Sequence, residues 1–234
     1  MLFVHEVHRV IGAHEDAFEE AFRCGWLTTL AQTDDARLLY YLRHAHGTGR
    51  AYNVITITAV ADAAAWGALV RRIESGDLAS WARHVDALRH DVTAKVLIPV
   101  DWSPLQEVNL DRVPTDGGEH RTTLYLEDTA WPFEGKVEAY LDAARDNYLP
   151  ALEAGGRPLL HLEAVFRPAW GTGARRREVV LWQQVMDPKR LVALFASEVP
   201  AEQRGPGTWM HDALAVRDDW ESRLLRTAAW SPLY

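Results

Sequence analysis

The chain predicts an α+β fold: two tandem β-α-β-β-α-β units whose four-stranded sheets pack face to face within one polypeptide. The first observation is repetition. Trp102-Ser103-Pro104-Leu105 recurs as Trp230-Ser231-Pro232-Leu233 and Trp81 as Trp209, both shifted by 128 positions. Arg89 and Asp91 recur as Arg217 and Asp219 at that same shift of 128, and Gly47-Thr48-Gly49 recurs as Gly171-Thr172-Gly173 at 124. The second observation is that one order of hydrophobic periodicities appears on both sides of a polar stretch. The third is physical: two helices on one face of a four-stranded sheet leave the other face bare, and a second copy in the same chain can cover it.

The elements follow in order. Leu2 to Ile11 is rich in β-branched residues and reads as a strand, broken by Gly12-Ala13. His14 to Gln32 reads as a helix, because Ala17, Phe18, Ala21, Phe22, Gly25 and Trp26 share one face. Strands at Arg37 to Ala45 and Tyr52 to Ala61 are joined through the hairpin loop His46-Gly47-Thr48-Gly49-Arg50. Asp62 caps a helix carrying Ala65, Trp66, Leu69, Val70 and Ile73. After an interruption at Gly76-Asp77, Leu78 to Asp91 continues as helix, and Lys95 to Val100 forms the fourth strand. A polar stretch, Asn109 to His120, contains Pro114 and Gly117-Gly118 and acts as a linker. The units are therefore 1–106 and 120–234, with 107–119 between them. In the second unit, strands are expected at Thr122 to Asp128, Pro158 to Arg167, Arg176 to Met186 and Leu224 to Ala228. Its helices run from Phe133 to Ala154 and from Asp187, with a break at Gly205-Pro206-Gly207.

Composition narrows the function classes. The 234 residues include ten Trp, seven Tyr and six Phe, so aromatic surface dominates the expected interior. The net charge is −8, and the densest basic run, Arg175-Arg176-Arg177, is too short to track a phosphate backbone. Neither nucleic acid nor a membrane surface is an expected partner. The lone Cys24, read as a core thiol on the apolar helix side, precludes an intrachain disulfide and fits a cytoplasmic protein. No basic-apolar leader precedes the strand-like Leu2-Phe3-Val4, and no apolar run approaches the ~20 residues of a spanning helix. There is no Gly-rich nucleotide loop and no Gly-x-Ser-x-Gly elbow. His5-Glu6-Val7-His8 and His44-Ala45-His46 have chelating spacing, but the latter pair flanks a hairpin loop where solvation competes, and no metal site is assigned. No cofactor is expected.

The ending Lys95-Val96-Leu97-Ile98-Pro99-Val100-Asp101-Trp102-Ser103-Pro104-Leu105-Gln106 resembles the C-terminal strand of NIPSNAP-type domains, with their Ile-Pro then Ser-Pro-Leu pattern. The second copy keeps Trp-Ser-Pro-Leu but has Arg226-Thr227-Ala228 in place of the Ile-Pro segment. The resemblance implies membership in the dimeric α+β barrel superfamily, beside antibiotic-biosynthesis-type monooxygenases, with the barrel here formed by ferredoxin-like units of a single chain. It implies a fold and a cavity but not one reaction, since the superfamily holds oxygenases, lyases, isomerases, haem proteins and members without known activity.

Strand alternation predicts which residues face between the sheets. The polar Glu6/His8 face is assigned inward on the first strand, and aligning Phe18 with Val137 places Tyr125 and Glu127 inward on its counterpart. Tyr41 and Arg43 on the second strand then match Val165 and Arg167, with His161 and Glu163 also inward. Thr56 and Thr58 face inward if Ile55 and Ile57 face the helices, and Gln183 aligns near Thr58. The expected catalytic set is His8, Glu6, Tyr125, His161 and Glu163: a histidine takes a proton, a carboxylate orients it and a tyrosine meets an oxyanion. Tyr41, Arg43, Thr56, Thr58, Glu127, Arg167 and Gln183 are the expected substrate-binding set. The predicted function is cofactor-independent acid–base or oxygenase chemistry (monooxygenase, lyase or isomerase) on a partly apolar, aromatic or polyketide-like molecule in the inter-sheet cavity. A ligand-binding or interaction protein without turnover is the alternative, and a haem-binding barrel with a cavity histidine as axial ligand the third. Association into a homo-oligomer stays open. His8 found beneath the helices would mean a one-residue error of register and the loss of this catalytic constellation.

Overall fold

The computed structural model describes residues 1–153, 156–169 and 178–234. The second glycine repeat, Gly171 to Gly173, and the run Arg175-Arg176-Arg177 lie outside the described residues, as do Ala154 of the expected helix and Arg176 of the expected strand.

Eight antiparallel strands close into a barrel: β1 (Leu2–Val10), β2 (Ala36–His44), β3 (Asn53–Val60), β4 (Arg89–Pro99), β5 (Leu124–Trp131), β6 (Leu160–Pro168), β7 (Val179–Val185) and β8 (Asp219–Thr227). Their order around the barrel is β1-β3-β2-β8-β5-β7-β6-β4. The first four strands are thus contiguous, the last four are contiguous, and two seams, β2 with β8 and β4 with β6, join them. This is the expected α+β barrel of two ferredoxin-like units packed sheet to sheet. The helices are α1 (Glu15–Glu20), α2 (Leu27–Leu30), α3 (Ala63–Ser75), α4 (Ala79–Ala87), α5 (Val137–Ala143), α6 (Leu149–Glu153), α7 (Pro188–Ala196) and α8 (Trp209–Asp212). The Asp62 side chain accepts from the Ala65 amide at the start of α3, as expected of an N-cap.

Two expected boundaries shift in parallel. The polar stretch from Arg89 belongs to β4 rather than to the preceding helix, and β8 begins at Asp219 rather than at Leu224. Both starts are mostly exposed and carry no alternation. They are strands because β1 and β5 supply a hydrogen-bonding ladder alongside them, from Arg9 opposite Asp91 and from Trp131 opposite Asp219.

A bulge interrupts β2 between Leu38 and Tyr40 where it pairs with Thr58 and Ile57. Another interrupts β6 between Leu162 and Ala164 where it pairs with Gln183 and Trp182. The extra residues are Leu39 and Glu163. The repeated Trp-Ser-Pro-Leu motif explains how both bulges are held. Ser103 Oγ accepts from the Val165 amide at 2.9 Å, and the Leu105 amide donates to the Glu163 carbonyl at 3.1 Å. Ser231 Oγ accepts from the Tyr41 amide at 3.1 Å, and the Leu233 amide donates to the Leu39 carbonyl at 2.9 Å. Each motif therefore clamps the bulge of the other half and satisfies the backbone groups that a bulge removes from its ladder.

The barrel interior is packed and largely apolar, with the buried His5–Glu127 pair set among its hydrophobic side chains. Phe3, Tyr40, Ile55, Ile57, Phe166 and Trp182 belong to one buried cluster that fills it. Outside the sheets, Phe18, Phe22, Trp26 and Tyr41 belong to the cluster beneath the first helices, and Tyr140, Leu141 and Val165 to that beneath the second. Burying each large side chain contributes about 1.5–3 kcal/mol, so the three clusters supply the driving force for closure.

Both long helices contain a π-turn, at Ala21–Trp26 and Ala144–Tyr148. In the first, the indole N–H of Trp81 donates to the Ala21 carbonyl at 2.8 Å. A Cβ at Gly25 would come 2.6 Å from the same indole, so only glycine admits Trp81 here. Cys24 lies on this turn but is exposed, against expectation, with Sγ donating to Glu20 at 3.0 Å. The π-turn shifts the helical phase, which an ideal 3.6-residue period does not anticipate.

Candidate active site beneath the first helix layer

The strand faces differ from expectation in a systematic way. Glu6, His8, Thr56 and Thr58 lie on the helix side of the first sheet, and Phe3, Ile55 and Ile57 fill the barrel. This polar face, expected to line the barrel, meets the helices instead. Tyr41 and Arg43 also point to the helix side, because the bulge at Leu39 reverses alternation beyond it. Arg43 pairs there with Glu15 at 3.2 Å and with Glu19. Arg167 is likewise reversed by the bulge at Glu163 and meets Glu138 of α5 at 3.3 Å. Gln183 aligns with Thr58 as expected but shares its outward face, donating to Asp128 at 2.8 Å and accepting from the Tyr148 hydroxyl.

Tyr125 and Glu127 do face the barrel interior, where Tyr125 stacks on Trp182 with ring centroids 5.2 Å apart. Half-buried Glu163 lies near enough to Tyr40 and Tyr125 to raise both phenols further, after burial itself, which pushes Tyr40 to about 12. His161 is exposed. The expected constellation therefore does not assemble: Tyr125 and His8 are on opposite faces of the barrel wall. Among the described residues no cluster of three or more His, Cys, Asp or Glu side chains is placed to hold a metal ion, and the triad of His8, His161 and Glu163 does not form.

A different site forms around Glu6 and His8. A cavity of about 130 Å³ opens between β1, β3 and the helices α3 and α4, with the π-turn along one side. Phe22, Trp26, Trp66 and Trp81 wall it, and Trp26 stacks on Trp81 at 4.5 Å. Its polar residues are Glu6, His8, Thr58, Asp86 and Arg89.

Arg89, His8 and Glu6 form a directed chain through the neighbouring Thr56. Arg89 Nη1 lies 2.7 Å from His8 Nδ1. A guanidinium can only donate, so Nδ1 is the acceptor and the single ring proton sits on Nε2. That proton points to Thr56 Oγ1 at 3.0 Å, and the threonine hydroxyl donates onward to Glu6 Oε2 at 3.4 Å. Burial, then the charge of Arg89 and the neighbouring His5, pull His8 well below the ordinary histidine value of 6.5. Both ring nitrogens of His8 are engaged in hydrogen bonds, and the lowered value favours its neutral form. Burial raises the proton affinity of Glu6, while Arg89 and Thr56 oppose it. The Glu6 side chain, 23% exposed, opens to the cavity. Sequence reasoning found both residues. It missed Arg89 as a partner because the residue was placed on a helix.

No family model and no curated protein matches the sequence. Solved structures do match in fold. The "putative monooxygenase" of Lactobacillus acidophilus NCFM shares 9% identity over 99% of this chain and 97% of its own, with a TM-score of 0.56. The "putative monooxygenase" of Fusobacterium nucleatum shares 8% over 97% and 91%, with a TM-score of 0.58. An anthrone oxidase-like protein shares 10% over 97% and 91%, also with a TM-score of 0.58. NIPSNAP proteins of Burkholderia xenovorans and Agrobacterium tumefaciens, each 16% identical, cover only 44% and 45% of this chain and 97% and 100% of their own, with TM-scores of 0.37 and 0.36. At such identities the likeness is one of fold alone: an eight-stranded antiparallel α+β barrel built from a single polypeptide.

Proposed function

We propose that the chain is a small-molecule enzyme of the monooxygenase-like kind, working in the cavity beneath the first helix layer. Its substrate is a partly apolar, aromatic or polyketide-like molecule with an acidic C–H or phenolic O–H. The observation that carries this reading is the position of Glu6: one carboxylate of raised proton affinity, at the edge of an aromatic-walled cavity, held by a relay that ends on it. Glu6 takes the substrate proton and becomes neutral, and the electron pair stays on the substrate. With dioxygen as oxidant, a ring CH₂ becomes C=O, one O₂ is consumed and one water is released. His8 and Thr56 are positioning residues that orient the carboxylate.

The test uses 1,8-dihydroxyanthrone, a probe suggested by the anthrone oxidase-like neighbour. Oxygen uptake and the absorbance of the anthraquinone product report turnover, and tryptophan fluorescence reports binding. The expected result is turnover by the native protein, reduced by roughly 10²-fold or more in Glu6→Gln. Saturable quenching without turnover would instead make this a ligand-binding protein, and full activity in Glu6→Gln would remove the carboxylate from the chemistry. We further propose that 1–106 and 120–234 descend from one duplicated unit, with 107–119 as the linker.

A further inference from the structure

Arg217 occupies, in the second half, the place that Arg89 occupies in the first. Trp81 precedes Arg89 as Trp209 precedes Arg217, by eight residues in each case. Trp209 packs on Tyr148 at 4.9 Å as Trp81 packs on Trp26. Strand register extends the match: His8 lies opposite Val92 and Ala130 opposite Trp220, and Val92 and Trp220 are again 128 apart.

The two arginines differ in what satisfies them. Arg89 spends its guanidinium on Asp86, through Nε at 3.0 Å and also through Nη2, and on His8 Nδ1. In the second half the residue 128 beyond Asp86 is Leu214, and the counterpart of His8 is Ala130. The cation is kept and both of these acceptors are gone; the groups that face it are the Tyr140 hydroxyl and the Asp128 carboxylate. Arg217 is nevertheless only 3% exposed, and its Nε has no hydrogen-bond partner among the described residues. Trp209 and Trp220 lie 5.9 and 5.1 Å from its central carbon, and the Tyr140 hydroxyl is beside it. It lines a cavity of about 70 Å³ together with Asp128, whose Oδ1 is also without a partner.

A buried guanidinium whose fork is left incomplete is unfavourable, and the aromatic faces, the Tyr140 hydroxyl and the charge of Asp128 compensate only part of that. A planar acceptor with two oxygens is the chemistry that completes it, because the guanidinium fork matches a carboxylate. We propose that this second cavity is a binding site for a small carboxylate, anchored by Arg217 and bounded by Trp209 and Trp220. The bound oxygens take the places of the Asp86 carboxylate and the His8 ring nitrogen. The cavity volume restricts the ligand to a short chain. This site is separate from the Glu6 cavity and does not depend on the activity proposed there.

The test is calorimetric titration of the whole protein with sodium lactate, with sodium chloride at equal ionic strength as control. Saturable binding of one lactate per chain is expected, with quenching of tryptophan fluorescence. Arg217→Gln is expected to weaken it about tenfold or more, and Arg217→Lys, which keeps charge but not the fork, to weaken it as well. Glu6→Gln is expected to bind lactate as the native protein does. Circular dichroism establishes that each variant is folded, and Arg217→Lys serves if Arg217→Gln is not. Absence of saturable binding, equal binding in the arginine variants, or equal competition by chloride would each overturn the proposal.

Discussion

His5 Nε2 and Glu127 Oε2 lie 2.8 Å apart inside the barrel, and the two residues hold the same place in the two halves. His5 is opposite Lys95 on β4 and Glu127 is opposite Arg223 on β8, and Lys95 and Arg223 are 128 positions apart. Corresponding positions thus meet where the two sheets face each other. Two glutamates there would repel, whereas the histidine can donate its ring N–H to the carboxylate. Arg223 adds a second contact to Glu127 at 3.2 Å, and nearby Lys95 pairs with Glu178 at 2.7 Å. Burial works against the Glu127 charge, but His5, Arg223 and Lys95 together outweigh it and hold the carboxyl well below its usual range.

Breaking this pair should be costly because it strands a buried charge. His5→Leu and Glu127→Leu are each expected to lose about 3–5 kcal/mol, and the double replacement to recover much of that. Urea unfolding of the three variants measures it. Strictly additive losses would show that the two side chains are not coupled.

Acid should weaken the fold in two stages. His8 has a depressed value in the folded state, so the unfolded chain takes up its proton first as pH falls below about 6.5. Stability is full above that point and declines below it, by up to about 1.4 kcal/mol per pH unit for one group. Glu127 contributes stability above the ordinary carboxylate range that is lost at lower pH. Melting temperatures from pH 8 to 5 should fall for the native protein and flatten in His8→Gln. An unchanged slope in that variant would assign the first stage to another group.

The serine clamps should matter equally. Ser103→Ala and Ser231→Ala each leave a buried amide at a bulge unpaired, at a cost of about 1–3 kcal/mol. The Val165 and Tyr41 amides should lose protection from hydrogen exchange, each in the half that does not carry the substitution. Protection lost only near the mutated serine would contradict the reciprocal clamp.

The proposed duplication predicts that a chain cut in the 107–119 linker reassembles. Residues 1–106 and 120–234, produced together, should co-purify as one complex with the circular dichroism of the intact protein. Independent, monomeric and folded halves would argue that the sheets do not need each other.

The sequence displays the architecture well because repetition survives in Trp, Ser, Pro and Gly, whose roles are geometric. It displays the faces poorly. Leu39 and Glu163 look like ordinary strand residues, and their bulges are held by Ser231 and Ser103, nearly 200 and 60 residues away. Glu6 and His8 look destined for a wet interior. The sequence does not reveal that Arg89, six residues before the expected strand at Lys95, already belongs to β4 and reaches His8. Tyr125 and Glu127 were placed inward by a pairing three residues away from the one their ladder shows, and a three-residue shift also reverses strand parity. Alternation is reliable only between irregularities, and each irregularity here is set by a distant residue.

The ring of strands closes on itself, so each strand has a neighbour on both sides once folding is complete. The two seams are short, with three register pairs each, whereas β1 and β3 alone align over eight. During synthesis the first four strands leave the ribosome before their partners exist. For that interval β2 and β4 are open edges, and the face bearing Phe3, Ile55 and Ile57 has no cover. A nascent chain in this state can pair with a neighbouring copy as readily as with its own unmade half. The ring that protects the finished protein thus makes its biogenesis a race between the second half and a stranger.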